Sequence, residues 1–315
     1  MTQLEIDINA LKVSLETLNT SIGLLGANVP QTIIDQKNAI EAEIAQKQAQ
    51  LSAQSQETVY EHLARIVGYT PQLKSCIEDT VDKLMDSSVS NATDPGLLLG
   101  KIQCGKTRAF VGVMGLAFDK GIDACVVLTK PDDGLVEQTI SRMEYEFRDY
   151  LNNTTIGQTK IEVHKIDQNM NFSLAQINNQ KNIFVVHKNT TRLGYFSKPE
   201  FKNKQVLVID DEADFVSRAF YTSNGNTDVG QIALLIDKFM KVPAFGRYLQ
   251  VTATPYSLFL QPYHSVQVNN GRVEPFRPRF TTLVPIHANY IGGKQYFIES
   301  ENPNSMYASL FHKID

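Results

Sequence analysis

The chain has 315 residues, of which 42% are hydrophobic and 20% are charged, and its formal net charge is −4. This composition is ordinary for a globular protein, and it excludes one that coats nucleic acid through bulk positive charge, although it allows a local basic track. No apolar run approaches the roughly 18 residues that span a bilayer, and the N-terminus lacks the basic-then-apolar pattern of a signal peptide. The three cysteines, Cys76, Cys104 and Cys125, have neither metal-ligand spacing nor an even number. We therefore expect a cytoplasmic protein.

Residues 1–58 are rich in Gln, Glu, Lys, Ala, Leu and Ile and contain no aromatic residue. Apolar residues recur at spacings of four and three through residues 4–25, which predicts an amphipathic helix. Gly and Pro within 26–30 break it, and a weaker series follows in which two seam positions are lysine. We predict an antiparallel, coiled-coil-like helical hairpin. Its seam either closes on itself or the adjacent domain, or it docks a partner protein or a second copy.

Residues 59–93 are predicted to be a helical bridge and linker. Their first part has helical apolar spacing, and the polar, turn-forming stretch 86–95 marks the main domain boundary.

Residues 94–262 alternate apolar strands with helices. The candidate strands are 96–99, 124–128, 161–165, 182–187, 205–209 and 248–252, and the candidate helices are 107–118, 135–151, 174–178 and 229–240. Continuous Val/Ile/Leu runs favour a parallel sheet covered on both faces, so we predict a doubly wound α/β domain with ligands at the carboxyl ends of its strands. Residues 263–315, with a strand-like stretch at 281–286, are predicted to be an extension leading to a second domain that the sequence does not contain.

A phosphate-binding loop is predicted at residues 100–107, whose sequence GKIQCGKT fits the pattern G-x-x-x-x-G-K-[ST]. The loop lies between a predicted strand and a predicted helix, as the motif requires, so that backbone N–H groups and the helix dipole face phosphate oxygens. Lys106 would reach the β and γ phosphates, and Thr107 would offer its hydroxyl to Mg²⁺. We assign nucleotide binding to Gly100, Gln103, Cys104, Gly105, Lys106, Thr107 and Arg108.

Adjacent acids follow the strand at 205–209. Such acids are what a Mg²⁺–nucleotide site needs beside its phosphate loop. We assign Asp211 to the metal and Glu212 to the attacking water, with Asp210 as the alternative metal contact. The catalytic set is thus Glu212, Lys106 and Asp211.

A third element is the stretch Val251-Thr-Ala-Thr-Pro255. The hydroxyls of Thr252 and Thr254 are in a position to bond the acidic cluster and couple it to the γ-phosphate. A Thr-rich strand end closed by proline is the plainer interpretation of this stretch alone.

Together, the loop, the Asp211-Glu-Ala-Asp214 box and Thr252-Ala-Thr254 resemble motifs I, II and III of superfamily 2 helicases, whose ATPase domains are RecA-like. The loop with Gln103, the doubled acid and the stretch 184–189 (FVVHKN) are similar to the Z-one domain family, whose members are named as endonucleases. The resemblance covers residues 96–262. Cys104 departs from the usual serine, and its place near a helix N-terminus predicts a reactive thiol.

The resemblance implies nucleic-acid-stimulated ATP hydrolysis in prokaryotic restriction or anti-phage defence, with DNA favoured over RNA as partner. It also implies a backbone contact by Lys130. The residues themselves add a basic stretch with interleaved aromatic side chains at 181–204, in which Lys188 is the preferred nucleic-acid contact; a solvated surface is the alternative. No second carboxylate cluster with a catalytic lysine supports a nuclease.

Superfamily 2 enzymes close a cleft between two such domains, and the second domain supplies arginines. The sequence contains no second α/β unit, so the chain is a fragment or receives this arginine from a partner. Two other hypotheses remain. In one, ATP switches the assembly of partner subunits; in the other, the protein is a small-molecule kinase, against which the acidic box and the Thr-Ala-Thr stretch argue.

Overall fold

The computed structural model of the chain describes residues 3–26, 29–151, 159–166, 180–194, 201–214, 220–223, 226–268, 271–287 and 290–308. No helix among these residues is long and apolar enough to cross a membrane.

Ten helices and eleven strands lie in the described ranges. The helices are α1 (Gln3–Leu25), α2 (Gln31–Gln56), α3 (Val59–Val67), α4 (Pro71–Met85), α5 (Lys106–Asp119), α6 (Asp133–Glu146), α7 (Thr190–Leu193), α8 (Gln231–Met240), α9 (Tyr256–Phe259) and α10 (Gly293–Phe297). The strands are β1 (Gly96–Leu99), β2 (Ala124–Thr129), β3 (Ile161–Lys165), β4 (Lys181–His187), β5 (Gln205–Asp211), β6 (Phe220–Ser223), β7 (Asn226–Val229), β8 (Phe245–Thr252), β9 (Val266–Val268), β10 (Gly271–Val273) and β11 (Phe280–Leu283).

The centre of the molecule is a seven-stranded sheet with the order β11-β1-β8-β5-β2-β4-β3, in which each neighbouring pair is parallel. Helices cover both faces, because Cys125 and Val127 of β2 join the core that includes α5, whereas Val126 and Leu128 join the core that includes α8. This double coverage explains why β2 is an uninterrupted apolar run. The predicted fold class, an α/β domain with a doubly wound parallel sheet after N-terminal helices, is confirmed.

The predicted elements differ from the structure mainly at their ends. The helix expected at 135–151 ends at Glu146 and is followed by a 3-10 turn, and the helix expected from 229 begins at Gln231. The predicted helix at 174–178 lies outside the described residues. The strand-like stretch at 281–286 forms β11, an edge strand parallel to β1.

Helices α1 and α2 pack against each other as the predicted hairpin. Their most buried apolar residues are Ile8 at 4% and Ile44 at 8% exposure. The ammonium of Lys47, one of the seam lysines, lies 3.5 Å from the carboxylate of Asp7 across the hairpin, so the polar seam position has an ionic partner. Docking of a partner by this arm stays a prediction.

Helices α3 and α4 share one hydrophobic core with the sheet and α5. A methyl group at Gly112 of α5 would lie 2.4 Å from Ile77, and one at Gly115 would lie 2.7 Å from Leu63, so these glycines allow close helix contacts. The boundary predicted at about residue 93 stays a prediction, but this packing places α3 and α4 in the helical layer over the sheet.

The turn between α3 and α4 has defined caps at both sides. Gly68 ends α3 in the left-handed region with φ 70°, and the Thr70 hydroxyl accepts a hydrogen bond from Leu73 N at the start of α4. Pro71 fills the first helical position, where its missing N–H carries no penalty. This turn therefore holds a fixed shape beside the loop that follows β1.

Candidate functional site

The loop between β1 and α5 leaves the start of α5 without a side-chain cap. Gly105, with φ 99°, is the N-cap of α5, and no side chain caps the helix there. The first N–H groups of α5 therefore lack a side-chain acceptor, and this arrangement suits an anion. Lys106 donates to the carbonyl of Lys101 at 3.2 Å, across the base of the loop.

Gly100 allows the loop to fold tightly. A Cβ atom at this position would lie 2.6 Å from Cys104 Sγ and 2.8 Å from Lys106 Cγ, so a side chain would displace the lysine. The Gly100 N–H donates to Thr252 O at 3.2 Å, which joins the loop to the end of β8. Cys104 is only 9% exposed, so the expectation of a reactive thiol does not fit its packing.

The acids Asp211 and Glu212 lie where β5 ends. Burial, with a smaller contribution from Glu212, raises the pKa of Asp211 to about 6, although the nearby Lys188 opposes the shift. Glu212 has φ 54°, and its N–H donates to the Asp211 carboxylate at 3.1 Å. In the described backbone, Glu212 and Gln103 are the two residues other than glycine with positive φ, and they lie on the two loops that carry the predicted site. Such strain is concentrated at functional loops in proteins.

The third predicted element contacts the last acid of the box. Thr252 donates to one carboxylate oxygen of Asp214 at 2.5 Å, and Thr254 donates to the other at 2.6 Å. Burial alone would raise the pKa of Asp214, but these hydroxyls hold it below its usual value. The Thr254 N–H also donates to the Thr252 hydroxyl at 3.0 Å, so the strand end and the acidic box form one network.

Asp210 and Lys188 have other roles than those the sequence predicted. Both side chains have zero exposure and form an ion pair of 2.5 Å, and the Tyr248 hydroxyl donates to the second oxygen of Asp210 at 2.5 Å. Asp210 therefore faces the core and is not the alternative metal contact. Lys188 is likewise not a nucleic-acid contact, because its ammonium lies inside the protein.

The basic stretch at 181–204 does not form one track among its described residues. Lys181 lies at the start of β4 and donates to Ile122 O at 2.6 Å, whereas Lys188 follows the opposite end of that strand. Phe201, expected as a stacking ring, is 1% exposed. Lys198 and the aromatic residues at 195 and 196 lie outside the described residues.

A cavity of about 260 Å³ connects the loop to the acids. Thr107, Asp211 and Glu212 line it together, and their roles toward Mg²⁺ and water stay predictions. Lys130 also lines it, with its ammonium 4.0 Å from Glu212 Oε2. Its nucleic-acid role stays a prediction; the structure places it beside Glu212, just after the end of β2. The other lining residues are Phe110, Thr129, Leu135, Gln138, Thr139 and Arg142.

A larger cavity, of about 690 Å³, lies on the other side of the loop. The predicted residues Gln103, Cys104, Gly105 and Arg108 form one wall. The turn between α3 and α4 forms a second wall, and the chain after β11 forms a third; the lining residues are Gly68, Thr70, Gln72, Leu73, Arg142, Val284, Pro285, Ile286 and His287. The chain after β11 could not be assigned from sequence, because its place depends on β11 pairing with β1.

No set of three or more His, Cys, Asp or Glu side chains in the described part of the chain is arranged to hold a metal ion. The donors beside the loop are instead one hydroxyl and two carboxylates. This set suits Mg²⁺, which is usually held by one or two carboxylates together with nucleotide phosphates and water.

No family model and no curated protein matches the chain. Among solved structures, the Pyrococcus furiosus Hef helicase domain is 13% identical over 61% of this chain and 34% of that one, with a TM-score of 0.39. A Sulfolobus solfataricus SWI2/SNF2 ATPase core in complex with dsDNA is 13% identical over 59% of this chain and 32% of that one, with a TM-score of 0.35. The chain spans about a third of each of these proteins. Likenesses this distant establish no activity, so the function is inferred from the site.

Proposed function

We propose that the protein binds ATP with Mg²⁺ and hydrolyses it as the motor domain of a nucleic-acid-dependent translocase. One observation carries this proposal: the loop, the acids and the threonines lie at the carboxyl ends of three adjacent strands, β1, β5 and β8. Gly100 N bonds Thr252 O, and Thr252 in turn bonds Asp214, so the three elements are joined by hydrogen bonds. A phosphate loop alone would fit many nucleotide-binding proteins. The linkage of the loop, the acids and the threonines is instead typical of a motor ATPase.

In this proposal, the N–H groups at the start of α5 and the ammonium of Lys106 hold the phosphates. Thr107 and Asp211 would hold Mg²⁺, which when bound neutralises charge on the phosphate oxygens. A cation beside Asp211 also fits its raised pKa, because a positive charge favours the ionised carboxylate that burial and Glu212 disfavour.

Glu212 is the residue proposed to orient and deprotonate the attacking water. Its carboxylate lines the same cavity as Thr107 and is 39% exposed, so water can reach it. The ammonium of Lys130 lies 4.0 Å from Glu212 Oε2 and so borders the space in which the attacking water would sit.

The larger cavity supports a nucleoside on the other side of the loop. Its volume of about 690 Å³ lies within the range of small-molecule sites. The side chain of Gln72 supplies both a hydrogen-bond donor and an acceptor, which suits the edge of a purine. We propose ATP as the nucleotide on this basis.

The dependence on nucleic acid, with DNA as the favoured partner, and a place in prokaryotic restriction or anti-phage defence rest on the motif resemblance to the Z-one domain family. Lys130 is the proposed backbone contact, because it follows the end of β2 and lies 4.0 Å from Glu212. Phosphate binding at Lys130 would thus act directly on the proposed base. The arginine that stabilises transferred phosphate would come from a second domain or a partner.

Steady-state ATP hydrolysis, measured with and without single- and double-stranded DNA, tests this function. We expect DNA to raise turnover, and both Lys106→Ala and Glu212→Gln to lower it by about a hundredfold or more. The matched control is Lys120→Ala, which changes a lysine that pairs with Asp82 at 2.9 Å beyond the opposite end of α5. Turnover that is absent in the wild type, or unchanged in both site variants, would refute the proposal.

The alternative function is a nucleotide-switched assembly module. The feature that favours it is the arm formed by α1 and α2, on which Val13 is 63% and Leu24 is 84% exposed. ATP-dependent oligomers that disappear on deletion of residues 1–58, without DNA-stimulated turnover, would support this alternative over the motor.

A further inference from the structure

Lys188 is a buried cation whose contacts converge on the acidic box. Its side chain has zero exposure and donates to Asp211 O at 2.7 Å and to Glu212 O at 3.0 Å. The ammonium also lies 2.5 Å from the carboxylate of Asp210. The ammonium therefore bonds three successive residues of the segment that carries the proposed metal ligand and the proposed base.

The position of Lys188 in the sheet explains how it reaches this segment. It follows the last residue of β4, and its N–H donates to Thr129 O at the end of β2. Because β2 lies between β4 and β5, the side chain extends past the end of β2 to the carbonyls that follow β5. Lys188 thus connects three strand ends at the edge of the sheet where the site lies.

The backbone that Lys188 holds is strained. Glu212 has φ 54°, a conformation that non-glycine residues adopt only when surrounding contacts impose it. Two such contacts flank Glu212: Lys188 donates to its carbonyl, and the N–H of the next residue, Ala213, donates to Val251 O at 3.1 Å. The direction of the Glu212 side chain depends on this conformation.

The Lys188–Asp210 pair also explains why a lysine can occupy this place. An isolated buried ammonium would lose its charge or destabilise the fold, whereas an adjacent carboxylate stabilises it. Tyr248 donates to the second oxygen of Asp210 at 2.5 Å and so fixes the carboxylate itself. The pair leaves the Lys188 ammonium with protons to donate to the two backbone carbonyls.

From these contacts we propose that Lys188 is a positioning residue for hydrolysis. It holds the backbone of Asp211 and Glu212 so that their carboxylates face Thr107 across the cavity. Asp210 and Tyr248 are its supports. This inference rests on the proposed ATPase function, and it assigns Lys188 no contact with nucleotide.

The test separates positioning from stability with a triple variant, Lys188→Met/Asp210→Leu/Tyr248→Phe. Apolar residues of similar volume often replace a buried ion pair without loss of stability, so this variant keeps the core filled while removing the bonds to the two carbonyls. The matched control is Lys181→Met at the other end of β4, which removes a lysine bond to a backbone carbonyl, that of Ile122, at 2.6 Å.

Two measurements are compared. In hydrolysis assays, we expect kcat of the triple variant to fall at least about tenfold while KM for ATP changes by less than about threefold, because the phosphate loop is untouched. In hydrogen–deuterium exchange of the protein without nucleotide, we expect faster exchange in peptides covering residues 211–214. Lys181→Met should change neither quantity.

Each outcome is decisive. A wild type without turnover would refute the ATPase function, and the exchange measurement would still test the positioning of the acidic box. A folded triple variant with wild-type kcat and wild-type exchange would overturn the role of Lys188. If the triple variant does not fold, Lys188→Met/Asp210→Asn, which leaves an acceptor for Tyr248, makes the same test. Failure of both variants to fold would also overturn the proposal, since Lys188 would then serve the fold as a whole.

Discussion

Replacing Thr252 by valine tests the hydrogen-bond network at the end of β8. The hydroxyl is fully buried, donates to Asp214 at 2.5 Å and accepts from Thr254 N at 3.0 Å, and valine has nearly the same shape. A hydrogen bond to a charged group contributes about 1.5–3 kcal/mol and a neutral one about 0.5–1.5 kcal/mol. Asp214 is only partly buried and keeps its bond from Thr254, so the lower ends of these ranges apply. We expect a loss of about 2 kcal/mol in the free energy of unfolding.

The lower free energy of unfolding can be measured by urea unfolding, and it should also lower Tm by about 4–8 °C. Thr282→Val is the control, because Thr282 is also buried but donates to its carboxylate, that of Asp79, at 3.3 Å; its loss should stay below about 1 kcal/mol. A Thr252→Val variant within about 0.5 kcal/mol of the wild type would refute the reasoning.

The same network predicts how the difference in unfolding free energy between the wild type and Thr252→Val depends on pH. The threonine hydroxyls help to keep the pKa of Asp214 below its usual value, so the folded state binds the proton less readily than the unfolded state. Their stabilisation is therefore present above the unfolded pKa of about 3.9 and is lost as the pH falls through the folded value. The stability gap between wild type and Thr252→Val should shrink below about pH 4.

Three further predictions concern the loop, the start of α3 and the arm. Gly105→Ala should weaken ATP binding about tenfold in calorimetry, because φ 99° strains any residue with a side chain; equal affinities would contradict this. Asp119, which accepts hydrogen bonds from Val59 N and Tyr60 N, has its pKa raised by burial, so its contribution is fully present below the unfolded pKa and is lost as the pH rises through the folded value. As the pH is lowered from about 7 to about 4, the free energy of unfolding in urea should therefore increase for the wild type relative to Asp119→Asn. A difference between the two proteins that does not change with pH would contradict this prediction. Ile8→Ala should reduce the helical circular dichroism of the arm without affecting ATP binding, whereas Leu24→Ala, at a position 84% exposed, should leave both unchanged.

Much of the site could be predicted from local sequence. The loop at 100–107, the acids after β5 and the threonines after β8 each follow a buried strand, and parallel strands end at one edge of a sheet. Short apolar runs likewise predicted the six strands to within a few residues of their observed ends. Two of the errors concern Asp210 and Lys188, which are charged residues that the fold buries.

Those errors have a common physical reason. Charged side chains are usually exposed, so a sequence predicts that Lys188 faces solvent and that Asp210 is available to a metal. Whether two opposite charges instead pair inside the protein depends on the distance between residues that are 22 positions apart in the chain, one just after β4 and the other on β5. Local patterns carry no information on that distance.

The sequence by itself determined the fold class, the glycine-rich loop between β1 and α5 and the order of the strands along the chain, because these follow from short-range spacing of apolar residues and glycines. Only the tertiary structure decided that β11 adds beside β1, that the turn between α3 and α4 borders the larger cavity, and that Lys188 holds the acidic box. These features depend on side-chain packing and charge pairing between segments far apart in sequence. Such contacts form only when the sheet assembles, and so they are fixed by the three-dimensional arrangement of the strands.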